Sequence, residues 1–208
     1  MTSRPVESKP VLGIVGGIGA GKSTAAAELV ALGCVRVDGD AIGHELLGDR
    51  EVLGEIRRRW PAGVVGPDGR VDREALARRV FADPAELEAL NAILHPRIRR
   101  RMARRIAAAR RDPAARGIVV DAAVLLEAGW DDLCTHLVFV SAPEERRLER
   151  VSAQRGWGRR TWMQREKSQI SLDKKAAKCD YTIDNCSSVS RLREQIRQLF
   201  HRICLDVN

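Results

Sequence analysis

The strongest constraint on this chain is an eight-residue stretch near its start, Gly16-Gly17-Ile18-Gly19-Ala20-Gly21-Lys22-Ser23. Its spacing is G-x-x-x-x-G-K-[ST], in which the glycines let backbone N–H groups turn inward onto phosphate oxygens. The apolar run Val11-Leu12-Gly13-Ile14-Val15 precedes it and suits a buried strand of a parallel sheet. Ser23 to Leu32, rich in alanine, follows as a helix with Gly33 as its stop. Strand, glycine loop and helix in that order set a helix N-terminus against the phosphates. Lys22 is then expected to reach the β- and γ-phosphates and the Ser23 hydroxyl to hold Mg²⁺.

The loop alone does not separate a kinase from a GTPase or an ATPase motor. Guanine recognition uses an Asn-Lys-x-Asp element, which this chain lacks. Asp40-Ala41-Ile42-Gly43 satisfies D-x-x-G, but it comes too soon after Lys22 to be a GTPase switch.

Beyond the loop, short apolar runs alternate with helical patterns. Cys34-Val35-Arg36-Val37, Ile118-Val119-Val120, Leu137-Val138-Phe139-Val140 and Tyr181-Thr182-Ile183 read as strands, and Val189 to Cys204 as a closing helix. That alternation predicts an α/β fold with a parallel sheet flanked by helices. Residues 41–111 differ, being helical in pattern almost throughout. Asp72 caps one predicted helix, Asp83-Pro84 opens another, and Ile98, Met102 and Ile106 recur among arginines from Pro96 to Arg111.

The net charge is +8, and arginine supplies 30 of the 36 cations, so polyanionic partners are favoured. With only eight aromatics, a base-stacking single-strand binder is disfavoured. A nucleic-acid-dependent ATPase is suggested only by the basic helix from Arg97 to Arg111, and the cations are spread over several other segments. Five scattered cysteines without a C-x-x-C pair suggest reduced, mostly buried thiols. No apolar run approaches the ~18 residues of a membrane span, and Met1 to Pro10 has no apolar signal core. The expectation is a cytoplasmic chain with neither nucleic acid nor membrane as partner.

Carboxylates come at the expected strand ends. Asp38 and Asp40 follow the second strand; in an extended stretch, alternate residues project to one side. In open α/β sheets ligands bind beyond the strands' carboxyl ends, so this pair is expected to face the phosphate loop's crevice. A phosphoryl acceptor needs a base or orienting carboxylate, and Mg²⁺ waters need acidic partners. Asp121, ending the strand Ile118-Val119-Val120, is the candidate to polarise Mg²⁺ and its waters. Arg146, Arg147, Arg150, Arg155, Arg159, Arg160 and Arg165 lie in a segment able to close as a lid that excludes water. Most of them read as a solvated face, with one or two on phosphates.

Taken together, the ordered motifs resemble those of the dephospho-coenzyme A kinase family. Gly16 to Thr24 is similar to G-G-I-G-[SA]-G-K-[ST]-T, and Val37-Asp38-Gly39-Asp40 to V-D-A-D with glycine for alanine. Leu90-Asn91-Ala92-Ile93-Leu94-His95-Pro96 resembles L-N-x-[IL]-x-H-P, and Asp121 to Glu127 resembles D-[VA]-P-L-L-[FL]-E. Gln169 to Lys175 is similar to Q-x-P-L-x-x-K, and Tyr181-Thr182-Ile183-Asp184-Asn185 to the closing A-D-Y-x-I-D-N. The set runs in the family's order from about residue 11 to 200. Ala123 and Ser171 stand where the family has prolines, an expected loosening of two turns, and Cys179 replaces an alanine. The segment around Gly156-Trp157-Gly158 is about one residue longer than the common form.

The resemblance implies transfer of the ATP γ-phosphate to the ribose 3′-hydroxyl of dephospho-coenzyme A, the last step of coenzyme A synthesis, with ATP and Mg²⁺ as cofactors. Lys22, Asp38 and Asp40 are then the catalytic set, with Asp40 the base and Asp38 on the Mg²⁺ side, two roles that can be exchanged. Gly19, Ala20, Gly21, Lys22, Ser23, Thr24, Arg150 and Asn185 are implied on the nucleotide, and Asp40, His95 and Glu127 on the acceptor. Ser23, Asp38 and Asp121 are implied on the metal. A lone histidine such as His95 is as readily structural. The implied layout is a tail (1–10), a nucleotide-binding core (11–40, 117–143 and 179–208), a helical acceptor region (41–116) and a lid (144–178), in a monomer or weak homo-oligomer. The rival within the same fold is a small kinase acting on a nucleoside or nucleoside monophosphate.

Overall fold

The computed structural model describes residues 9–205. Five strands, β1 (Val11–Val15), β2 (Cys34–Asp38), β3 (Gly117–Asp121), β4 (His136–Ser141) and β5 (Tyr181–Asp184), form one sheet. Their order is β2-β3-β1-β4-β5, and every pairing is parallel. In β1 and β3 every residue is buried, as continuous apolar runs require at the centre of a sheet covered on both faces. The register sets Asp121 beside Ile14 of β1 on one side and Asp38 of β2 on the other. Three strands thus end together at one edge of the sheet, carrying the glycine loop and two carboxylates.

The helices are α1 (Lys22–Ala31), α2 (Gly39–Leu46), α3 (Arg50–Arg59), α4 (Arg73–Ala82), α5 (Pro84–Arg111), α6 (Glu144–Arg155), α7 (Arg159–Lys167), α8 (Leu172–Ala177) and α9 (Val189–Leu205). Helix α1 packs on α9, and Leu29, Leu192, Ile196 and Phe200 join Leu12, Val119 and Val138 in a common core. The chain divides into two compact units, residues 39–104 forming one and the remainder the other.

Within residues 39–104, α3 and α4 are capped by Asp49 and Asp72, whose side chains accept from the first-turn N–H groups. Val65 and Val71 pair in a single antiparallel bridge around the turn Pro67-Asp68-Gly69. Sequence pattern opens one helix at Asp83-Pro84 and reads another from Pro96 to Arg111; the two are one continuous helix, α5, which starts at Pro84 and carries Pro96 inside it. Proline removes the N–H that would bond the carbonyl four residues back and normally kinks or ends a helix. The carbonyl so deprived is that of Ala92; one residue on, Arg97 Nη1 donates to the Ile93 carbonyl at 2.7 Å and Nη2 to Glu55 of α3 at 2.6 Å, which ties this turn to α3. Ile98, Met102 and Ile106 form the buried stripe that the spacing predicts.

Two expectations need correction. The stretch Asp38-Gly39-Asp40 is not extended, because β2 ends at Asp38 and α2 begins at Gly39, which puts Asp40 in a helical first turn. Nor are the thiols mostly buried: only Cys34 is fully so, Cys134, Cys179 and Cys204 are partly covered, and Cys186 is exposed. Burial still pushes the Cys34 and Cys134 thiols up to about 12, which makes both inert at neutral pH. The expected tail over 1–10 lies outside the described residues as far as residue 8. Lys9 and Pro10 are already tied in: Pro10 accepts from the Ile118 N–H at 2.8 Å and Lys9 Nζ donates to the Ala109 carbonyl.

Candidate active site

The glycine loop wraps from the end of β1 into α1. Gly19 and Gly21 take φ of 83° and 99°, left-handed values that a side chain would strain. A Cβ would also collide with the Arg147 carbonyl at Gly19 and with the Asn185 amide at Gly21. Gly21 caps α1 without a side-chain hydrogen bond, so the first-turn N–H groups have no capping acceptor from it. Ser23 and Thr24 are exposed on that turn. The N-terminal turn of α1 and its dipole together make an anion seat. Lys22 Nζ folds back and donates to the carbonyls of Gly16 and Gly17, each at 2.9 Å.

The loop is braced from behind by side chains of three other elements. Asn185, just past β5 and buried, donates to the Ala20 carbonyl at 2.7 Å. Arg150 of α6 donates to Ala20 at 3.2 Å and to the Asn185 carbonyl at 2.9 Å. Trp162 of α7 donates from its indole to Ile18 at 3.3 Å. Arg150 and Asn185, expected on the nucleotide, are therefore found on the loop that would hold its phosphates. Arg147 is buried, pairs with Glu166 and lies 5.0 Å over the Trp162 ring. A cavity of about 210 Å³ opens beside Gly17, Ser141, Arg147 and Asp173.

The other arginines of α6 and α7 behave differently. Arg146 pairs with Glu149 and Arg159 with Glu144, both on exposed faces. Arg155 and Arg165 stack on Trp157 at the turn between the two helices, at 4.9 and 4.3 Å.

Asp38 and Asp121 stand beside each other at the ends of β2 and β3. Between them is a residue sequence reasoning missed. Arg36 Nη2 lies 3.1 Å from Asp38 Oδ2 and 2.6 Å from Asp121 Oδ2. The signal was available: residues two apart on a strand share a face, so Arg36 and Asp38 had to point the same way. Both carboxylates are hard oxygen donors. Mg²⁺ is characteristically held by one or two such groups together with substrate phosphates and waters rather than by an all-protein cage. The Ser23 hydroxyl is exposed on the first turn of α1, and the Asp38 and Asp121 carboxylates, side by side, are donors of the kind that Mg²⁺ takes.

Glu127 lies in the turns after β3. Its Oε1 is 2.9 Å from Lys175 Nζ and accepts from the Ile170 N–H at 3.1 Å, while its Oε2 is buried with no hydrogen-bond partner. Lys175 is almost fully buried and also donates to Gln169 Oε1 at 2.9 Å. This knot ties the segment Asp121 to Glu127 to the segment Gln169 to Lys175. With it in place, α8 starts directly after Ser171 although the family's proline is missing.

Asp40 and His95 belong to the helical unit. Asp40 sits in the first turn of α2, where a negative charge is favoured by the helix dipole. His95 is half-buried in the middle of α5, and that burial lowers its pKa.

Comparison with known proteins agrees with the motifs. Residues 10–191 match the family model of dephospho-CoA kinase, CoaE. A dephospho-CoA kinase of Symbiobacterium thermophilum is 39% identical over 197 residues, covering 93% of this chain and 81% of that one. One of Deinococcus radiodurans is also 39% identical, covering 94% of this chain and 95% of that one. The crystal structure of TT1252 from Thermus thermophilus superposes with a TM-score of 0.79 at 34% identity, covering 93% and 97% of the two chains.

Proposed function

Since the chain belongs to the dephospho-CoA kinase family, we propose that its glycine loop holds the ATP phosphates while Asp40 deprotonates the acceptor. The reaction is ATP-dependent phosphorylation of dephospho-coenzyme A, the final step of coenzyme A synthesis. The observation that carries the assignment of parts is the shared sheet edge, where the loop, Asp38 and Asp121 end three adjacent parallel strands.

In this reading the N–H groups of Gly19 to Thr24 bind the β- and γ-phosphates, and Lys22 leaves the Gly16 and Gly17 carbonyls to neutralise them. Asp40 takes the proton of the ribose 3′-hydroxyl as its oxygen attacks the γ-phosphorus. The bond to the bridging oxygen then breaks, and ADP leaves. Mg²⁺, held through Ser23 and facing Asp38 and Asp121, would supply charge neutralisation on the phosphates. Arg150 and Asn185 keep the loop rigid from behind, so that its donors are aimed before the substrate arrives.

Residues 144–178 form the lid, residues 41–116 receive the acceptor, and His95 and Glu127 bind it. No described helix is long and apolar enough to cross a membrane. We assign the protein to the cytoplasm, where ATP is the donor, as a monomer or weak homo-oligomer with small-molecule substrates and no nucleic-acid partner.

The test is ADP release from Mg-ATP with dephospho-coenzyme A, against a panel of nucleosides and nucleoside monophosphates. Turnover with dephospho-coenzyme A alone, yielding coenzyme A, is expected. Turnover only with another acceptor would keep the phosphate loop and overturn the acceptor assignment.

A further inference from the structure

Arg36 lies where the proposed metal carboxylates face each other, and the function above gives it no task. One nitrogen of its planar guanidinium serves both carboxylates, at 3.1 Å to Asp38 and 2.6 Å to Asp121. The three side chains alternate in charge, with the arginine in the middle. Their exposures differ in a telling way. Asp121 is 9% exposed and fixed, whereas Arg36 is 37% exposed and has water to turn into. Mg²⁺ sheds its own water reluctantly and would meet these same two Oδ2 atoms directly or through that water.

We infer that Arg36 is a resident counter-cation of the Asp38–Asp121 pair, holding both carboxylates in position and competing with free divalent ions for them. Metal then reaches the site with the nucleotide, whose phosphates supply ligands and negative charge that a free ion lacks. Arg36 acts through the carboxylates and touches no reacting atom, so it is a positioning residue. The inference rests on the reading of Asp38 and Asp121 as the metal-side carboxylates.

Mn²⁺ titration of the full-length, nucleotide-free protein, followed by the electron paramagnetic resonance of the free ion, tests this without turnover. Removing one positive charge within hydrogen-bond distance of both carboxylates is expected to tighten Mn²⁺ binding by roughly tenfold or more in Arg36→Val. Arg36→Gln, which keeps a donor without the charge, should do the same and carries the test if the valine variant fails to fold. Arg36→Lys should remain near wild type. Adding Asp121→Asn to either neutral variant should abolish the gain. Equal Mn²⁺ affinity in wild type and both neutral variants, lost in each on Asp121→Asn, would overturn the role of Arg36 and leave the carboxylates' role intact. Binding unaffected by Asp121→Asn, or no binding in any variant, would overturn the metal-side reading and the inference with it.

Discussion

The glycine loop and the helical unit of residues 39–104 solve recognition in different ways. The loop spans Gly16 to Ser23, and its shape follows from left-handed glycines and from carbonyls gripped by Lys22, Arg150, Asn185 and Trp162. Its donors are backbone N–H groups, and any nucleoside triphosphate offers them the same phosphates. The helical unit instead holds its helices with long side chains. Arg97 reaches Glu55 across 42 residues, and Arg101 reaches Asp49 across 52. The loop is thus a local construction of consecutive residues, while the helical unit, proposed above to receive the acceptor, is a distributed one built from several helices. Changes should accordingly be more absolute in the first region and more graded in the second.

The largest effect is expected at Lys22. Lys22→Ala removes the one side-chain cation of the loop, and kcat should fall by about 10³-fold or more, with KM for dephospho-coenzyme A little changed. Its Nζ bonds carbonyls of the loop itself, so the melting temperature should change little. A variant with normal kcat would break the assignment of the loop. Asp40→Asn comes next, with a loss of about 10²- to 10⁴-fold, the range of a general base. Here kcat should drop while ATP binding, followed by a fluorescent analogue, stays intact. If Asp38→Asn gives the base phenotype and Asp40→Asn the metal phenotype, the two roles are exchanged.

Stability offers a third way to separate the regions. Lys175 is 2% exposed and its partner Glu127 17%, so Lys175→Met strands a buried carboxylate. A loss of about 3–5 kcal/mol is expected from breaking such a pair on one side. Glu127→Gln in the same background should recover part of it, since the uncompensated charge is then gone. Urea unfolding of the two variants decides the matter, and no recovery would mean that packing around Lys175, rather than its charge, is what counts. A surface pair such as Arg146–Glu149, 60% and 65% exposed, should yield well under 1 kcal/mol in the same assay.

Where the sequence was legible, the cause was local. Short apolar runs marked all five strands to within a residue or so, and β1 and β3, buried along their whole length, have no room for polar alternation. Asp72 and Asp83 marked helix starts because capping acts over three residues. Arg36 was hidden because its meaning depends on Asp121, 85 residues away and brought beside it only by the sheet register. The Glu127–Lys175 knot was hidden for the same reason, although both residues lay in noted motifs. At Asp40 the difficulty was a boundary: the extended reading runs on through Asp40, yet β2 ends at Asp38 and a helix begins at Gly39. At Pro96 the local rule for proline lost to Arg97 and to the buried stripe that continues through it.

The smallest effect expected is at His95, and it concerns pH. Burial lowers its pKa below the ordinary value of 6.5, so the unfolded chain takes up this proton at a higher pH than the folded one. The stability that neutral His95 carries is present above about pH 6.5 and is lost as pH falls towards the lowered value. His95→Gln cannot take up that proton. The urea midpoint of the wild type should therefore fall more between pH 7.5 and 5.5 than that of His95→Gln. Equal falls would mean that the histidine titrates alike in both states. If the pH dependence of stability differs as expected but kcat/KM for dephospho-coenzyme A is unchanged in His95→Gln, then His95 is a structural residue of α5. A loss in kcat/KM would instead make it part of the acceptor surface. That single variant sharpens the contrast between a local phosphate seat and a distributed acceptor surface, because it asks whether one helix position contributes to binding, to folding or to both.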